Sequence, residues 1–182
     1  MHKQAHSITH FWFEECTPQD WFKKNPEFDL NIKERFGEWT EKALLGQIDS
    51  WAAESTPRLA LILLLDQFTR NIYRDTPRAF SGDEMALALT LRAIDEGQLD
   101  AEESQTKRQF LLMPMMHSEE LEIQEQSLPL FRQYTSEMVY EYAVRHRDIV
   151  KRFGHFPHRN ALLGRPSTAE EVSFLEELGS SF

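Results

Sequence analysis

The chain has 182 residues, 41% hydrophobic and 27% charged, a composition typical of a globular protein large enough to bury a core. Its net charge of −10 argues against nucleic-acid binding, which requires clustered Lys and Arg, and its single cysteine, Cys16, excludes a disulfide. The longest apolar run, 59–65, is too short to cross a membrane, and residues 1–10 lack the apolar region of a signal peptide. We therefore expect a cytoplasmic protein that binds neither nucleic acid nor membrane.

Helix-start signals and apolar spacing predict the elements of the first half of the chain. Thr17 followed by Pro18 is typical of a helix N-cap with proline at the first position, and the short helix that it opens ends near Pro26. Apolar residues then recur at helical spacing over 28–44, and Gly46 marks the expected stop.

The next predicted helix, over 58–73, is the most apolar of the chain. Thr56 and Pro57 repeat the start signal before it, and Pro77 ends it. Because the helix is apolar on every side through Leu65, we expect it to lie at the centre of the protein.

Five further helices are predicted in the second half, over 81–97, 104–113, 118–134, 136–153 and 168–178. Pro114 interrupts one of them, Gly154 ends another, and Thr168 with Glu171 three residues later forms a capping-box pattern. Seven or eight helices joined by short loops, with no convincing strand, predict an all-α single domain over residues 1–182, built from antiparallel helical hairpins.

The apolar helix changes character at Asp66, where a first polar segment begins. Asp66, Arg70 and Arg74 are spaced four residues apart, so we expect them on one helix face, with Gln67 and Asn71 in a row beside them. A carboxylate that follows seven apolar residues is expected to be buried in part, and burial requires a partner such as Arg70.

Two interpretations of this segment stay open. Asp66 and Arg70 could form a structural ion pair that fixes the helix against its neighbours. Alternatively, Arg70, Arg74 and Arg78 line a cleft that holds an anionic ligand, and Asp66 orients one of them.

A second polar segment, over 145–165, is strongly basic in an otherwise acidic chain. Its charged residues are Arg145, Arg147, Lys151, Arg152, Arg159 and Arg165, against a single acid, Asp148. These charges could complement acidic helix ends, or His155, Arg159, Asn160 and Arg165 could form an anion pocket with the first segment. A third reading is that His155 and His158 bind a metal through an H-x-x-H pattern, which is a weak signal.

A third segment places His117 directly after a methionine-rich stretch. In the simplest interpretation Pro114 restarts the helix, Ser118 caps the next one, and the methionines fill the core. His117 is also a candidate general acid or base, and with Glu120 it forms an H-x-x-E pair that could share a metal. The sequence has no phosphate-binding glycine loop, no G-x-S-x-G, no H-E-x-x-H and no Rossmann fingerprint, so no cofactor is predicted.

The runs 63–74, 113–119 and 153–171, together with Phe-Trp-Phe at 11–13, resemble the bacterial domain-of-unknown-function 924 family over about residues 8–178. The resemblance implies an all-α, tetratricopeptide-like superhelical fold, although no such repeat period is visible here, and it brings no activity. Its motif positions are Asp66, Gln67, Arg70, Asn71, Arg74, His117, Ser118, Glu119, His155, Pro157, His158, Arg159, Asn160 and Arg165.

Three functional hypotheses follow, and the sequence leaves open whether the protein is an enzyme and what its oligomeric state is. The first is a pocket lined by Arg, His and Asn that binds an anionic small molecule or a peptide carboxylate. The second is a hydrolase-type acid–base or metal-assisted enzyme that uses His117 or His158 with a carboxylate, Asp66 or Glu119. The third is an interaction module whose tetratricopeptide-like groove holds a partner peptide.

Overall fold

All regular structure in residues 3–180, the part described by the computed structural model, is helical, which confirms the predicted all-α class. Residues 1–2 and 181–182, the ends of the predicted single domain, lie outside the described residues. The tetratricopeptide-like superhelix stays a prediction. Within the described range, no helix is long and apolar enough to cross a bilayer.

The helices follow one another with short connections. The first six are α1 (Lys3–His10), α2 (Pro18–Phe22), α3 (Pro26–Leu44), α4 (Ser55–Ile62), α5 (Thr69–Ile72) and α6 (Asp83–Asp95). The remaining six are α7 (Gln98–Ala101), α8 (Gln105–Met116), α9 (Leu121–Tyr134), α10 (Glu137–Phe153), α11 (Asn160–Leu163) and α12 (Ala169–Leu175). Two stretches, Phe11–Glu15 and Leu63–Phe68, are π-helical, and three short 3₁₀ turns occupy Asp49–Ala53, Pro77–Phe80 and Pro157–Arg159.

The predicted central helix is confirmed as the most buried element of the fold. It consists of α4, the π-helical stretch Leu63–Phe68 and α5, and every residue over 57–69 is buried. It packs against α1, α3, α6 and α8. The helix begins at Ser55 with Glu54 as its N-cap, so the predicted start signal at Thr56 is wrong, because Thr56 already lies in the first turn. The helix ends at Ile72, and Pro77 opens a separate 3₁₀ turn.

Most of the predicted helix ends are confirmed. Thr17 and Asp20 form a capping box at α2, and Thr168 and Glu171 form another at α12. Ser136 accepts a hydrogen bond from the backbone N–H of Val139 at the start of α10. Each cap satisfies N–H groups that the first turn of a helix leaves without an intrahelical acceptor.

The predicted break at Pro114 is wrong, because α8 continues through it to Met116. Proline removes one backbone donor, but every residue over 110–116 is buried, and this packing offsets the loss. Gln124 Nε2 donates to the carbonyl of Met116 and so closes the end of the helix. The following helix, α9, begins at Leu121 and not at Ser118, since Glu119 is held in contacts with the C-terminal segment.

Gly82 brings the start of α6 against the central helix. A Cβ atom at this position would lie only 2.3 Å from the backbone oxygen of Leu65, so a side chain cannot be accommodated without a shift. The absence of a side chain therefore allows the next residue, Asp83, to reach the central helix.

We expect Gly82→Ala to lower the free energy of unfolding by about 1–3 kcal/mol, because it forces two backbone segments apart. Gly37→Ala is the matched control, since its Cβ would meet only Lys33 Cγ at 3.8 Å within α3. That change should raise the stability by about 0.5–1 kcal/mol, the usual gain on replacing a helical glycine. Urea unfolding measures the free energy of unfolding of both variants. Equal changes in the two would contradict the close approach of Gly82 to Leu65.

Candidate functional site

The π-helical stretch Leu63–Phe68 turns Asp66 and Gln67 into the protein interior. Both side chains are buried, and they face the end of α8, where His117 is the C-cap residue. Single π-helical turns inside α-helices often occur at functional sites, because the extra residue changes the direction of the side chains that follow.

Asp66 and His117 form a hydrogen-bonded dyad. His117 Nδ1 lies 2.7 Å from Asp66 Oδ1, and Gln67 Nε2 donates to the other carboxylate oxygen. Asp66 is fully buried, while the His117 side chain keeps 13% exposure. Within the described part of the chain, the second ring nitrogen, Nε2, has no hydrogen-bond partner. Since Nδ1 faces a carboxylate, it carries the proton, and Nε2 is left with its lone pair.

The protonation states follow from burial and charge. Burial alone raises the pKa of a carboxyl, but His117 and Arg70 outweigh it and hold the pKa of Asp66 below its usual range. Burial lowers the pKa of His117, and the neighbouring Asp66 opposes that shift only in part. At neutral pH the dyad is therefore a carboxylate hydrogen-bonded to a neutral imidazole.

Two arginines share one carboxylate beside the dyad. Arg70 Nη1 and Nη2 donate to the two oxygens of Asp83, at 2.9 and 3.0 Å, and Arg159 Nη1 lies 3.2 Å from the same carboxylate. Arg70 also contacts Asp66 Oδ1 at 3.4 Å. The sequence interpretation that Asp66 and Arg70 form an ion pair thus agrees with the geometry, although Asp83 is the closer partner.

Arg159 is the most deeply placed cation of the site. It is 6% exposed, and its guanidinium lies between the rings of Phe80 and Phe156, at 4.5 and 4.8 Å from their centroids. Nη2 donates to the backbone carbonyl of His117 at 3.0 Å, whereas Nε is buried without an acceptor among the described residues. Burial, together with Arg70, lowers the pKa of Arg159 to about 10, so the group is still charged at neutral pH.

Two more imidazoles surround the dyad. The rings of His146 and His117 lie 6.4 Å apart, and His146 Nδ1 lies 2.8 Å from the carbonyl of Tyr142. Burial lowers the pKa of His146 to about 3, and burial together with Arg159 lowers the pKa of His158 to about 4. Both rings are neutral at physiological pH, so the neighbourhood of His117 carries no additional histidine charge.

Glu119 and Arg165 form a second anchor close to the dyad. Arg165 binds both oxygens of Glu119, at 2.7 and 2.9 Å, and its Nε donates to Asn160 Oδ1. The backbone N–H of Phe156 also donates to Glu119, at 2.9 Å. Although burial acts to raise it, these contacts hold the pKa of Glu119 below its usual range.

Not all sequence-predicted site residues converge. Arg74 and Asn71 both bind Asp29 on α3, and Arg78 binds Glu41 on the same helix. The predicted common face of Asp66, Arg70 and Arg74 does not form, because residues 63–68 are π-helical and the helix ends before Arg74. The three arginines therefore do not line one cleft.

The two histidine patterns considered as metal sites are also divided. His155 Nε2 lies 2.6 Å from Glu171, whereas the pKa of His158 is shifted mainly by burial and by the charges of Arg159 and Glu119. His117 binds Asp66, and Glu120 is an exposed N-cap residue of α9. Over residues 3–180, no group of three or more His, Cys, Asp or Glu side chains is arranged to hold a metal ion.

Sequence reasoning missed Asp83, Phe80 and Phe156 as parts of the site. Asp83 has the ordinary signature of an acid in the first turn of a helix, and the two rings have the signature of core residues. Gly82 is the one available signal, because a glycine directly before a helix can mark a close backbone approach.

The family model described as a bacterial protein of unknown function, DUF924, matches residues 8–179, so the chain belongs to this family. A solved structure of the protein of unknown function ATU0120 from Agrobacterium tumefaciens is similar to it, at 36% sequence identity and a TM-score of 0.90. The similarity covers 95% of this chain and 97% of that one. No curated protein matches the sequence.

Proposed function

We propose that this DUF924 protein is an acid–base enzyme of the hydrolytic type, in which His117 accepts and returns a proton under the control of Asp66. The observation that carries the proposal is the 2.7 Å contact between Asp66 Oδ1 and His117 Nδ1. A buried carboxylate in this position fixes the tautomer and orientation of the imidazole and stabilises the imidazolium that forms during turnover. The reaction would take place in the cytoplasm.

In this mechanism His117 Nε2 takes a proton from a water molecule, and the resulting hydroxide attacks an electrophilic carbonyl or phosphoryl centre. The imidazolium then returns the proton to the leaving group, while Asp66 stays ionised. The low pKa of Asp66 and the lowered pKa of His117 suit these roles, since the base is unprotonated at neutral pH.

The neighbouring cations support a small anionic molecule as the substrate. Arg159 carries a buried Nε–H without an acceptor in the part of the chain that is described, and it lies next to the His117 backbone. A buried N–H without an acceptor costs the protein free energy. Binding of an acceptor, such as a carboxylate or a developing oxyanion, would remove that cost. Because His146 and His158 are neutral, the positive charge on that side of the dyad comes from Arg159.

A panel of chromogenic esters, amides and phosphates tests this proposal. We expect His117→Asn and Asp66→Asn to reduce turnover of any accepted substrate by about 100-fold or more, the usual contribution of a positioned acid–base group. Asn is chosen at position 117 because its amide N–H replaces Nδ1–H toward Asp66.

His6→Asn is the matched control, since His6 is exposed on α1. It should keep the activity. Circular dichroism of each variant separates a loss of turnover from a loss of fold. An unreactive panel, or full activity in His117→Asn, contradicts the hydrolytic role.

A further inference from the structure

The C-terminal part of the chain has a small apolar core of its own. Ile149, Val150, Phe156 and Phe174 form a cluster that is separate from the large core around the central helix. The helix α10 joins the two, because its first half, with Val139 and Ala143, belongs to the large core. The segment after α10 is thus held to the end of that helix by its own packing.

Several polar contacts join this segment to the rest of the protein. Arg159 binds Asp83 and the carbonyl of His117, and Arg165 binds Glu119 through two hydrogen bonds. The stacking of Arg159 on Phe80 adds a cation–π contact. Charged contacts of this kind are individually reversible, and salt weakens them where they are exposed.

The segment is bounded by two glycines in the left-handed region. Gly154 has φ 77° and Gly164 has φ 67°, and nothing lies within 4 Å of a Cβ built on either. Such positions can absorb backbone rotation at little cost, as hinges of active-site lids do.

The same segment lies over the dyad. Arg159 touches the His117 backbone, and the ring of Phe156 stands 5.6 Å from His146, whose own ring faces His117. His117 keeps only 13% exposure with the segment in place. A movement of the segment would therefore change the access of a substrate to the His117 ring.

We propose that residues 154–165 form a strap that opens over His117, held closed by two latches, Arg159 with Asp83 and Arg165 with Glu119. Opening breaks the latches, turns about the glycine hinges and draws Phe156 away from Ile149 and Val150, which stay in α10. That the strap admits a substrate rests on the proposed function, but its opening can be measured without any turnover.

The experiment compares two arginine variants of the full chain. Arg165→Met removes a latch, whereas Arg152→Met removes the Arg152–Glu170 ion pair, which lies between α10 and α12 inside the C-terminal unit. Two rates are measured for each: hydrogen exchange of the amides of 155–165, and carbethoxylation of His117 by diethyl pyrocarbonate, read by mass spectrometry. Glu119→Gln serves as a second latch variant if Arg165→Met does not fold.

We expect the latch variants to raise both rates by about tenfold, with exchange in α4 unchanged, because local opening does not require global unfolding. Arg152→Met should leave both rates near those of the parent protein. If hydrogen exchange in the strap becomes faster but carbethoxylation of His117 does not, the strap does not control access to His117. If hydrogen exchange in α4 also becomes faster, the variant unfolds as a whole and the proposal is overturned. Unchanged rates in the latch variants overturn the strap. A strap that opens in an inactive protein would refute only the proposed function.

Discussion

Asp83→Asn should lower the free energy of unfolding by about 2–3 kcal/mol, less than the loss of one partner from a fully buried ion pair, because Asp83 keeps 19% exposure. Asp83 is the carboxylate shared by Arg70 and Arg159. After the substitution both guanidiniums stay in place, and Arg159, at 6% exposure, has no other carboxylate in hydrogen-bond contact among residues 3–180. Urea unfolding followed by circular dichroism measures the difference.

Glu15→Gln is the matched control for this prediction. Glu15 also binds an arginine through both oxygens, Arg35, at 2.7 and 3.1 Å, but that pair lies on the surface. Exposed pairs contribute at most about 1 kcal/mol, so the control should cost far less.

The double variant Asp83→Asn with Arg159→Met should recover part of the loss, because it removes one of the two uncompensated charges. Equal costs for Asp83→Asn and Glu15→Gln contradict the buried network.

Acidification should destabilise the protein already below about pH 6.5, the ordinary pKa of histidine. Burial lowers the pKa of His146 to about 3 and that of His158 to about 4 in the folded state. Between these values and 6.5 the unfolded chain binds protons that the folded protein does not, so stability falls as the pH falls. Each such imidazole contributes a slope of about 1.4 kcal/mol per pH unit.

Chemical unfolding at a series of pH values between neutral and about 4.5 tests this slope. His146→Asn, which keeps an N–H donor near the Tyr142 carbonyl, should reduce the slope by about 1.4 kcal/mol per pH unit, whatever its effect on absolute stability. His6→Asn is the control, because His6 is exposed on α1 and its loss should leave the slope unchanged. A flat stability profile over this range is incompatible with neutral buried imidazoles.

Much of the fold is predictable because local chemistry specifies it. The caps at Thr17 and Thr168 and the apolar stretch 59–65 each depend on neighbouring residues, and each is found as predicted. The break at Pro114 is predicted wrongly, since burial of the surrounding turn outweighs the propensity of a single residue.

The candidate site is only partly predictable for a related reason. In the sequence, Asp66, His117 and Arg159 stand out as polar residues in unexpected places. Their contacts, however, join residues that are 42 to 51 positions apart in the chain, and local sequence patterns do not specify such pairings. The π-helical register at Leu63–Phe68 has no recognisable sequence pattern, and it changes which arginine faces the dyad. The partnership of Asp83 depends on a backbone contact at Gly82, which only the packed structure contains.

Nitrogen NMR of the histidine rings shows whether Asp66 holds His117 as a neutral base. The two ring nitrogens of an imidazole have clearly different shifts when only one carries a proton, so the tautomer can be read for His117 at neutral pH, with His117→Asn giving the assignment. We expect a proton on Nδ1, facing Asp66, and an unprotonated Nε2. A neutral ring protonated on Nε2, or an imidazolium at neutral pH, would contradict it.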